Sequence, residues 1–309
     1  MQFRYDLEEL RRLQGLNIDQ KVALSMTRIQ EWYEHYEGKV SVSYSGGKDS
    51  TVLLHLVRSM YPEVPAVYAD TRLDLPEVRE FVKKTPNVIF VKPVMDFREV
   101  IKTYGWCFPS KEVAKYIEDA RRGVKYAVNG LQGLYLDGTP SKFCRDRLTR
   151  WAFLVDAPFK ISPMCCKVMK ERPLDEYKKK TGNFPFIGLM ATESKRRELT
   201  WRKVGCNAFD INRPSSKPLS FWTEQDIWTY ILWHGIEIPS CYGDIITKNG
   251  KLKCSGEQRT GCAFCLIGAH RDKKSSRLKR MKETHPALYK YCMDHLGMKE
   301  VLEWLKIPH

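Results

Sequence analysis

The residues best suited to chemistry form a short run rich in serine and glycine, which also contains a lysine and an aspartate. The run consists of Ser43, Tyr44, Ser45, Gly46, Gly47, Lys48, Asp49 and Ser50. The glycines allow the backbone to approach a ligand closely, while Lys48 supplies a positive charge and the serines supply hydroxyl donors. Together these residue types predict a binding site for a phosphate or a similar anion.

This run is predicted to connect a strand to a helix. Residues 39–44 alternate between apolar and polar side chains, as a half-buried strand does. A helical spacing of apolar residues follows as far as Met60, with Ser50 or Thr51 near its start. The unpaired N–H groups and the dipole of a helix N-terminus favour an anion. The Walker motif needs a longer lead into its lysine, and G-x-G-x-x-G is not matched here, so this run represents neither motif.

Further strands and helices alternate along the chain as far as about residue 233. The predicted strands cover residues 39–44, 64–69, 88–91 and 184–189, and the predicted helices cover 5–37, 51–60, 75–84 and 223–233. This alternation predicts an α/β fold with a doubly wound, mostly parallel sheet, which binds ligands at the carboxyl ends of its strands. Asp70 follows the second strand, so it is expected either to contact a nucleotide or Mg²⁺ there or to cap the next helix.

The remaining stretches complete the predicted organisation. Residues 96–161 are expected to be helical and rich in loops, 237–275 irregular, and 276–305 helical. We expect three parts: an N-terminal helical segment (1–38), a nucleotide-binding α/β domain (39–235) and a cysteine-rich extension with C-terminal helices (236–309). The sequence contains neither an apolar run of about 20 residues nor an apolar signal core, which predicts a cytoplasmic protein without a membrane partner.

Charge and cysteine content narrow the choice of partners. The net charge of +15 and the isoelectric point near 9.3 indicate acidic partners, either a nucleotide or a nucleic acid. Ten cysteines in a cytoplasmic chain favour metal ligands or reactive thiols over disulfides. The closest spacings are the adjacent pair Cys165 and Cys166 and the motif Cys262-x-x-Cys265, which predict metal binding.

The residues alone do not decide between zinc and an iron–sulfur cluster. Cys241, Cys254, Cys262 and Cys265 could form a local zinc knuckle, with Cys254 as an alternative ligand in any metal site. The adjacent pair Cys165 and Cys166 favours an iron–sulfur cluster instead, because neighbouring thiolates suit separate irons better than one tetrahedral ion. Cys144 and Cys206 each lie beside basic residues, so an exposed thiol there would have a depressed pKa and could carry sulfur.

The whole pattern resembles a known family. The run Ser45 to Ser50 resembles the PP-loop of the ATP pyrophosphatase superfamily, which grips the pyrophosphate of an adenosine nucleotide. With this loop, four later segments resemble the phosphoadenosine/adenosine phosphosulfate reductase family from about residue 39 to 266. These segments read CCKVMKERPL (165–174), GLMATESKRR (188–197), PLSFWTEQDIWTYI (218–231) and GEQRTGCAFC (256–265). The resemblance implies an adenine nucleotide alpha-hydrolase-like fold that binds ATP or an adenylyl sulfate.

The resemblance also implies roles for individual residues. Cys165, Cys166, Cys262 and Cys265 match the ligands of a [4Fe–4S] cluster. Lys170 matches a substrate-binding lysine, and Glu193, Ser194 and Arg197 match a phosphate-contacting loop, although Arg196 is an alternative to its neighbour. The implied nucleotide site also includes Asp70 and Thr71. From the residues alone, Asp49 is either a ligand of Mg²⁺ or a favourable negative charge at the helix N-terminus. The catalytic candidates are Lys48, Asp49, Lys170 and Arg197, whereas Pro218, Trp222 and Asp226 match a signature that packs the fold.

Three departures from the reductases shape the functional expectation. Met190 and Ala191 replace arginines, Arg72 replaces a glycine, and residues 304–309 do not contain the reductases' nucleophilic cysteine in an E-C-G-x-H segment. The pattern looks more similar to non-assimilatory relatives such as the DNA phosphorothioation sulfur-transfer protein. We therefore expect an ATP-dependent sulfur transferase, with a nucleic acid as a candidate substrate and a cysteine desulfurase as a candidate sulfur donor. The alternatives are an adenylyl-sulfate or phosphoadenylyl-sulfate reductase and a non-catalytic module that senses nucleotides or binds nucleic acid.

Overall fold

The structure is a computed structural model that describes residues 3–271 and 277–309. Its α-helices are α1 (Leu7–Gln14), α2 (Ile18–His35), α3 (Lys48–Met60), α4 (Pro76–Lys84), α5 (Phe97–Tyr104), α6 (Lys111–Arg121), α7 (Lys125–Leu131), α8 (Lys142–Arg147), α9 (Met164–Cys166), α10 (Arg172–Thr181), α11 (Lys195–Val204), α12 (Glu224–Trp233), α13 (Arg277–Thr284), α14 (Pro286–Lys290) and α15 (Met298–Trp304). Its strands are β1 (Val40–Tyr44), β2 (Ala66–Ala69), β3 (Val88–Val91), β4 (Phe184–Ile187), β5 (Asn207–Ala208), β6 (Ser215–Ser216), β7 (Ile245–Lys248) and β8 (Lys251–Cys254). Two π-helical turns, Lys167–Glu171 and Tyr291–His295, continue α9 and α14.

Spatial contacts divide the chain into two compact units, each made from two stretches of sequence. The sheet unit comprises Met1–Lys92 and Pro173–Gly261, and the helical unit comprises Pro93–Arg172 and Cys262–His309. Residues 1–38 therefore belong to the same unit as the PP-loop, and the stretch from residue 236 onward is shared by both units. The division of the chain into three linear domains stays a prediction.

The sheet unit is built on six strands in the order β3-β2-β1-β4-β6-β5. The central strand β1 pairs in parallel with β2 on one side and with β4 on the other, whereas β5 runs antiparallel to β6 at an edge. Both β1 and β2 are almost entirely buried, as expected of parallel strands covered on both faces. The predicted α/β fold with a mostly parallel sheet and flanking helices is confirmed.

All four predicted strands are present within their predicted bounds. The prediction did not include β5 and β6, which are only two residues long each. A strand of this length is too short to show the alternation of apolar and polar residues on which a sequence-based prediction depends.

The helix predicted after the PP-loop is present, and Ser50 and Thr51 lie near its start as expected. The helix α3 begins at Lys48, and Gly47 is its N-cap with extended backbone angles (φ −80°, ψ 159°). The first turn therefore contains Lys48, Asp49 and Ser50, because Thr51 N–H already donates to Gly47 C=O at 3.0 Å. As a result, Lys48 and Asp49 lie in the first turn of α3, where the unpaired backbone N–H groups are located.

The signature expected to pack the fold lies in the core of the sheet unit. Trp222 is completely buried, and its indole Nε1 donates to Ser25 Oγ at 2.9 Å. The Ser25 hydroxyl in turn donates to the Pro218 carbonyl at 3.0 Å. This chain of bonds satisfies the polar atoms of a buried tryptophan, which supports the packing role of the signature.

Residues 237–275 were expected to be irregular, and this prediction was wrong for part of the described stretch up to residue 271. Strands β7 and β8 pair antiparallel and form a two-stranded sheet. The turn between them is Asn249-Gly250, with φ values of +53° and +69°. An Asn-Gly pair favours such positive φ angles and is a strong hairpin signal, so the sequence did contain the information.

The helical unit carries α5 to α9 and α13 to α15. The helices between Arg277 and Trp304 confirm the predicted C-terminal helical region, of which residue 276 lies outside the described residues. Throughout residues 3–271 and 277–309, no helix combines the length and the apolar character needed to cross a bilayer.

Candidate functional site

The PP-loop uses its own serines to hold its backbone in shape. Gly47 N–H donates to Ser45 Oγ at 3.3 Å, and Ser45 N–H donates to Ser50 Oγ at 3.2 Å. The two serine hydroxyls lie 3.0 Å apart, and the Ser50 hydroxyl donates to Gly47 C=O at 2.9 Å. The serines therefore position the turn, and their hydroxyls lie where an anion would meet the helix N-terminus.

Gly46 is required by the geometry of this turn. Its φ of +71° lies in the left-handed region that favours glycine. A Cβ at this position would lie 2.5 Å from Val82 Cγ2 and 2.9 Å from Val78 Cγ1, both on α4. The turn is thus packed directly against α4, which leaves no room for a side chain.

A cavity of about 560 Å³ lies beside the loop, within the range of about 300–1,000 Å³ typical of small-molecule sites. The loop contributes Ser43, Ser45, Gly47, Lys48, Asp49 and Ser50, and the end of β4 with the following segment contributes residues 187–190, Thr192, Glu193 and Arg197. Glu224, Tyr242, Arg259 and Thr260 complete the lining. Six of the predicted nucleotide-binding residues from the PP-loop and the later loop residues Glu193 and Arg197 therefore share one cavity.

Two predicted PP-loop residues lie outside this lining. The side chain of Tyr44 is buried, and its hydroxyl lies 3.3 Å from Thr85 Oγ1 and 3.5 Å from Thr51 Oγ1. Gly46 shapes the turn through its backbone. For both residues, direct contact with a nucleotide stays a prediction.

The charges in the cavity are arranged around Lys48. This lysine is 5% exposed, and its Nζ lies 3.2 Å from Asp49 Oδ1 and 3.5 Å from Glu224 Oε1. Burial acts to lower the pKa of Lys48, but the negative neighbours outweigh burial, so the pKa is raised. Lys48 therefore carries a firm positive charge that an incoming phosphate can share.

The pKa of the Asp49 carboxyl is raised above its ordinary value. Burial raises its pKa, Lys48 opposes the increase, and the nearby carboxylates of Glu193 and Glu224 add to it. Oxygen Oδ1 is buried without a well-oriented hydrogen bond, although Lys48 lies within ion-pair distance. A carboxylate in this situation would be stabilised by an additional cation, such as Mg²⁺.

The loop before α11 positions Arg197. Ser194 Oγ accepts from Arg197 N–H at 3.3 Å and caps α11, and Glu193 Oε1 accepts from Met190 N–H at 3.0 Å. The carboxylate of Glu193 also forms an ion pair with the Arg197 guanidinium. Of the two adjacent arginines, Arg197 lines the cavity, whereas Arg196 is not among its lining residues. Ser194 thus caps the helix that carries Arg197, and its contact with a nucleotide stays a prediction.

Several residues that line the cavity were not predicted as site residues, among them Tyr242, Arg259 and Thr260. The Tyr242 hydroxyl accepts from Lys48 N–H at 3.0 Å and lies 2.9 Å from Thr260 Oγ1. Arg259 Nη2 lies 3.5 Å from Glu193 Oε2. The available signal was the basic residue and hydroxyl immediately before Gly261 and the Cys262-x-x-Cys265 motif, in the quoted segment GEQRTGCAFC.

Asp70 and Thr71 are both buried at the end of β2 and are not among the residues that line the cavity. The Asp70 carboxylate accepts two hydrogen bonds from Arg79, from Nε at 3.2 Å and from Nη2 at 3.0 Å. Thr71 Oγ1 accepts from Leu73 N–H at 3.1 Å. Nucleotide or Mg²⁺ contact by these two residues therefore stays a prediction.

The four predicted cluster ligands all belong to the helical unit and lie close enough to interact. Burial raises the pKa of the Cys165 thiol, and the neighbouring Cys166, Cys262, Cys265 and Cys107 raise it further. No two cysteines of the described chain form a disulfide. Among residues 3–271 and 277–309, no group of three or more His, Cys, Asp or Glu side chains is arranged to hold a metal ion.

Two lysines lie near this cysteine group. Burial raises the pKa of Cys166, while the positive charges of Lys111 and Lys170 oppose the increase. Lys170 is therefore placed beside the cysteines within the helical unit, in the π-helical turn that follows α9. Its predicted contact with the phosphates of a substrate stays a prediction.

Cys144 and Cys206, the candidate sulfur-carrying thiols, were expected to be reactive only if exposed, and both are buried. Cys144 and Cys206 are 7% and 9% exposed. Burial raises the pKa of Cys206 in spite of its contact with Ser220, so the depressed pKa expected of an exposed thiol is not present there. Cys241 and Cys254, the other members of the zinc alternative, belong to the sheet unit.

Comparison with known proteins matches this arrangement to one family. The phosphoadenosine phosphosulfate reductase domain matches residues 39–95 and 139–257. An adenosine 5'-phosphosulfate reductase of Bacillus cereus is 31% identical over 246 residues, which cover 75% of this chain and 83% of that protein. A sulfate adenylyltransferase subunit 2 of Proteus mirabilis is 26% identical over 247 residues, which cover 76% of this chain and 72% of that protein.

A longer relative is also similar. An uncharacterized protein of Methanocaldococcus jannaschii is 26% identical over 278 residues, which cover 88% of this chain but only 52% of that protein. This chain thus spans about half the length of that relative. Because the matched stretches make up more than half of the chain and include the PP-loop and the segment around Glu193, the chain belongs to the phosphoadenosine phosphosulfate reductase domain family.

Proposed function

We propose that this protein is a cytoplasmic enzyme that binds the phosphates of an adenosine nucleotide in the PP-loop cavity and transfers sulfur to an activated acceptor. The observation that carries the proposal is the cavity itself, which joins a helix N-terminus to three cationic side chains, Lys48, Arg197 and Arg259. Backbone N–H groups and fixed cations of this kind recognise phosphate oxygens. Catalysis would consist mainly of positioning the nucleotide and stabilising the charge that develops on its phosphates.

The residue roles follow from the geometry. Ser43, Ser45, Gly47 and Ser50 would cradle the pyrophosphate part of ATP, and Lys48 and Arg197 would neutralise it. Asp49 would hold Mg²⁺, since its half-buried carboxylate lies near the carboxylates of Glu193 and Glu224 as well as Lys48, and a further cation would offset the acidic charge. Asp70, Thr71, Glu193 and Ser194 would support the same site from the sheet edge and from the cap of α11. An acceptor oxygen would attack the α-phosphorus and release pyrophosphate, and sulfur at the oxidation level of sulfide would then displace AMP.

ATP is favoured over adenylyl sulfate by two features. Met190 and Ala191, which replace reductase arginines, are buried and contribute no positive charge to the cavity. One relative is named as a subunit of sulfate adenylyltransferase, so adenylyl chemistry occurs among similar proteins. The second candidate is a sulfonucleotide reductase, which the 31% identical adenosine 5'-phosphosulfate reductase favours.

The cysteine group supports a [4Fe–4S] cluster on Cys165, Cys166, Cys262 and Cys265. These thiols interact electrostatically with one another, and Lys111 and Lys170 supply positive charge that would offset thiolates. One tetrahedral zinc ion, with Zn–S bonds of about 2.3 Å, would need its thiolates closer together than a cluster does. We favour the cluster over zinc because adjacent thiolates such as those of Cys165 and Cys166 suit the separate irons of a cluster better than one tetrahedral ion. When bound, the cluster supplies a carrier for electrons or for sulfur.

The partners outside the cavity are also part of the proposal. The net charge of +15 would suit a nucleic-acid acceptor, and binding to RNA or DNA should then weaken steeply as salt concentration rises. The sulfur would come from a donor such as a cysteine desulfurase. The third candidate function is a non-catalytic module that senses nucleotides.

The test of the proposed function is a comparison of two substrates with the anaerobically purified protein. We expect pyrophosphate release from ATP in the presence of an acceptor, and no sulfite from adenosine phosphosulfate. Sulfite release in place of pyrophosphate would establish the reductase alternative. Nucleotide binding without either product would support the non-catalytic reading.

A further inference from the structure

The segment that runs from Tyr242 to Thr260 lies against the PP-loop although it is about 200 residues away in sequence. The Tyr242 hydroxyl accepts from Lys48 N–H at 3.0 Å, and it lies 2.9 Å from Thr260 Oγ1. A Cβ at Gly47 would lie 2.6 Å from Thr260 Oγ1. Thr260 is therefore held against the loop backbone by direct packing and through a shared hydroxyl contact.

This contact fixes the backbone that carries Arg259. The Arg259 side chain is 78% exposed, yet it lines the cavity, and its Nη2 lies 3.5 Å from Glu193 Oε2. That distance is at the outer limit of a hydrogen bond. The Glu193 carboxylate also forms an ion pair with Arg197 and accepts a hydrogen bond from Met190 N–H. Arg259 therefore combines a fixed backbone with a weakly held guanidinium beside the anion site.

We propose that Arg259 is a phosphate-binding residue that contacts the pyrophosphate part of the bound nucleotide, and that Tyr242 is the positioning residue that places it. The proposal rests on the proposed function, because it names further residues of the same site. A guanidinium can bind two phosphate oxygens at once, and leaving a long contact with Glu193 costs little compared with the charge-assisted bonds gained. The site would then hold the phosphates from three sides, with Lys48, Arg197 and Arg259.

The surroundings of Tyr242 also explain why a tyrosine is suited to position Arg259. Tyr242 is 1% exposed, packs edge-on against Trp228, and burial raises the pKa of its phenol. The neutral hydroxyl can accept from Lys48 N–H and donate to Thr260 Oγ1 at the same time. Phenylalanine would keep the packing and lose both bonds, so Tyr242→Phe separates positioning from folding.

The experiment uses calorimetry to measure how inorganic pyrophosphate, ATP and AMP bind to the full chain and to its variants. Arg259→Ala should weaken pyrophosphate and ATP binding by about 10- to 100-fold, the range expected for one lost charge-assisted hydrogen bond. AMP binding should change by less than about threefold, because AMP lacks the pyrophosphate part. Arg259→Lys should recover part of the loss, and Arg213→Ala, which removes another exposed arginine of the sheet unit, should bind as the unchanged chain does.

Combining variants tests the positioning role. If Tyr242 acts through Arg259, the effects of Tyr242→Phe and Arg259→Ala on pyrophosphate binding should be less than additive. Fully additive effects would overturn the role of Tyr242, and unchanged pyrophosphate affinity in Arg259→Ala would overturn the role of Arg259. If the unchanged chain binds pyrophosphate but not ATP, the proposed function fails while the inference about Arg259 is still tested. If it binds neither, both fail.

Discussion

Lys21 and Asp226 form a buried ion pair between α2 and α12, with Nζ 2.7 Å from Oδ2. The lysine side chain is only 2% exposed, and the same aspartate oxygen accepts from the N–H and the hydroxyl of Thr223 at 2.6 and 2.8 Å. The pair therefore connects α2 to α12 within the sheet unit. It also links the family signature at Asp226 to a residue that no motif identifies.

Removing the charge of Asp226 should destabilise the protein strongly. Asp226→Asn keeps the size of the side chain but leaves Lys21 buried without a negative partner, which typically costs about 3–5 kcal/mol. Urea unfolding measured by tryptophan fluorescence should show this loss. The matched control is Glu80→Gln, which breaks an exposed ion pair with Lys83 and should leave the stability almost unchanged. Equal effects of the two substitutions would contradict the structural role of the pair.

Gly46→Ala should impair both folding and anion binding. The positive φ costs an alanine about 1–3 kcal/mol, and the new Cβ would also collide with Val82 and Val78. The PP-loop would have to move, so pyrophosphate affinity should fall. Gly182→Ala is the control, because Gly182 has a similar φ of +75° but no atom within 4 Å of the added Cβ. Retained pyrophosphate binding in Gly46→Ala would show that the loop does not form the anion site.

The cysteine group can be tested by its colour. Anaerobically purified protein should be brown, absorb at about 400 nm, and contain iron and sulfide. Cys165→Ser and Cys262→Ser should each lose this absorbance. Cys292→Ser should retain it, since Cys292 is fully buried in the same unit and contacts Met298. Stoichiometric zinc in the unchanged protein, without iron, would refute the cluster.

Stability should depend on pH through His270. Burial lowers the pKa of His270, and the charges of Arg271 and Arg150 lower it further. The folded protein therefore favours the neutral ring, whereas the unfolded chain takes up a proton below about pH 6.5. The contribution of His270 to stability is complete above this pH and decreases as the pH falls below it. Urea unfolding at pH 7.5 and 5.5 should show a smaller pH dependence for His270→Gln, and an equal dependence would contradict this prediction.

Local sequence patterns were enough to predict the strand, turn and helix that form the PP-loop region. The alternation in residues 39–44, the paired glycines and the apolar spacing after Ser50 predicted the strand, turn and helix that the structure contains. These features depend on contacts between residues close together in sequence, which a periodic pattern records. The exact first residue of α3, Lys48, was not predicted, because helix ends depend on one or two residues and carry little periodic signal.

The sequence by itself determined the fold class, the family and the residues of the PP-loop, because each is encoded in short segments with a characteristic spacing. Only the tertiary structure decided which distant residues complete the cavity. Tyr242 and Thr260 reach Lys48 and Gly47 across about 200 residues, and the pairing of Asp70 with Arg79 placed that carboxylate against α4. Such contacts arise from packing of the whole sheet unit, so the spacing of residues within a short segment does not predict them. The cysteines at 165–166 and 262–265 likewise become one group only when the chain folds.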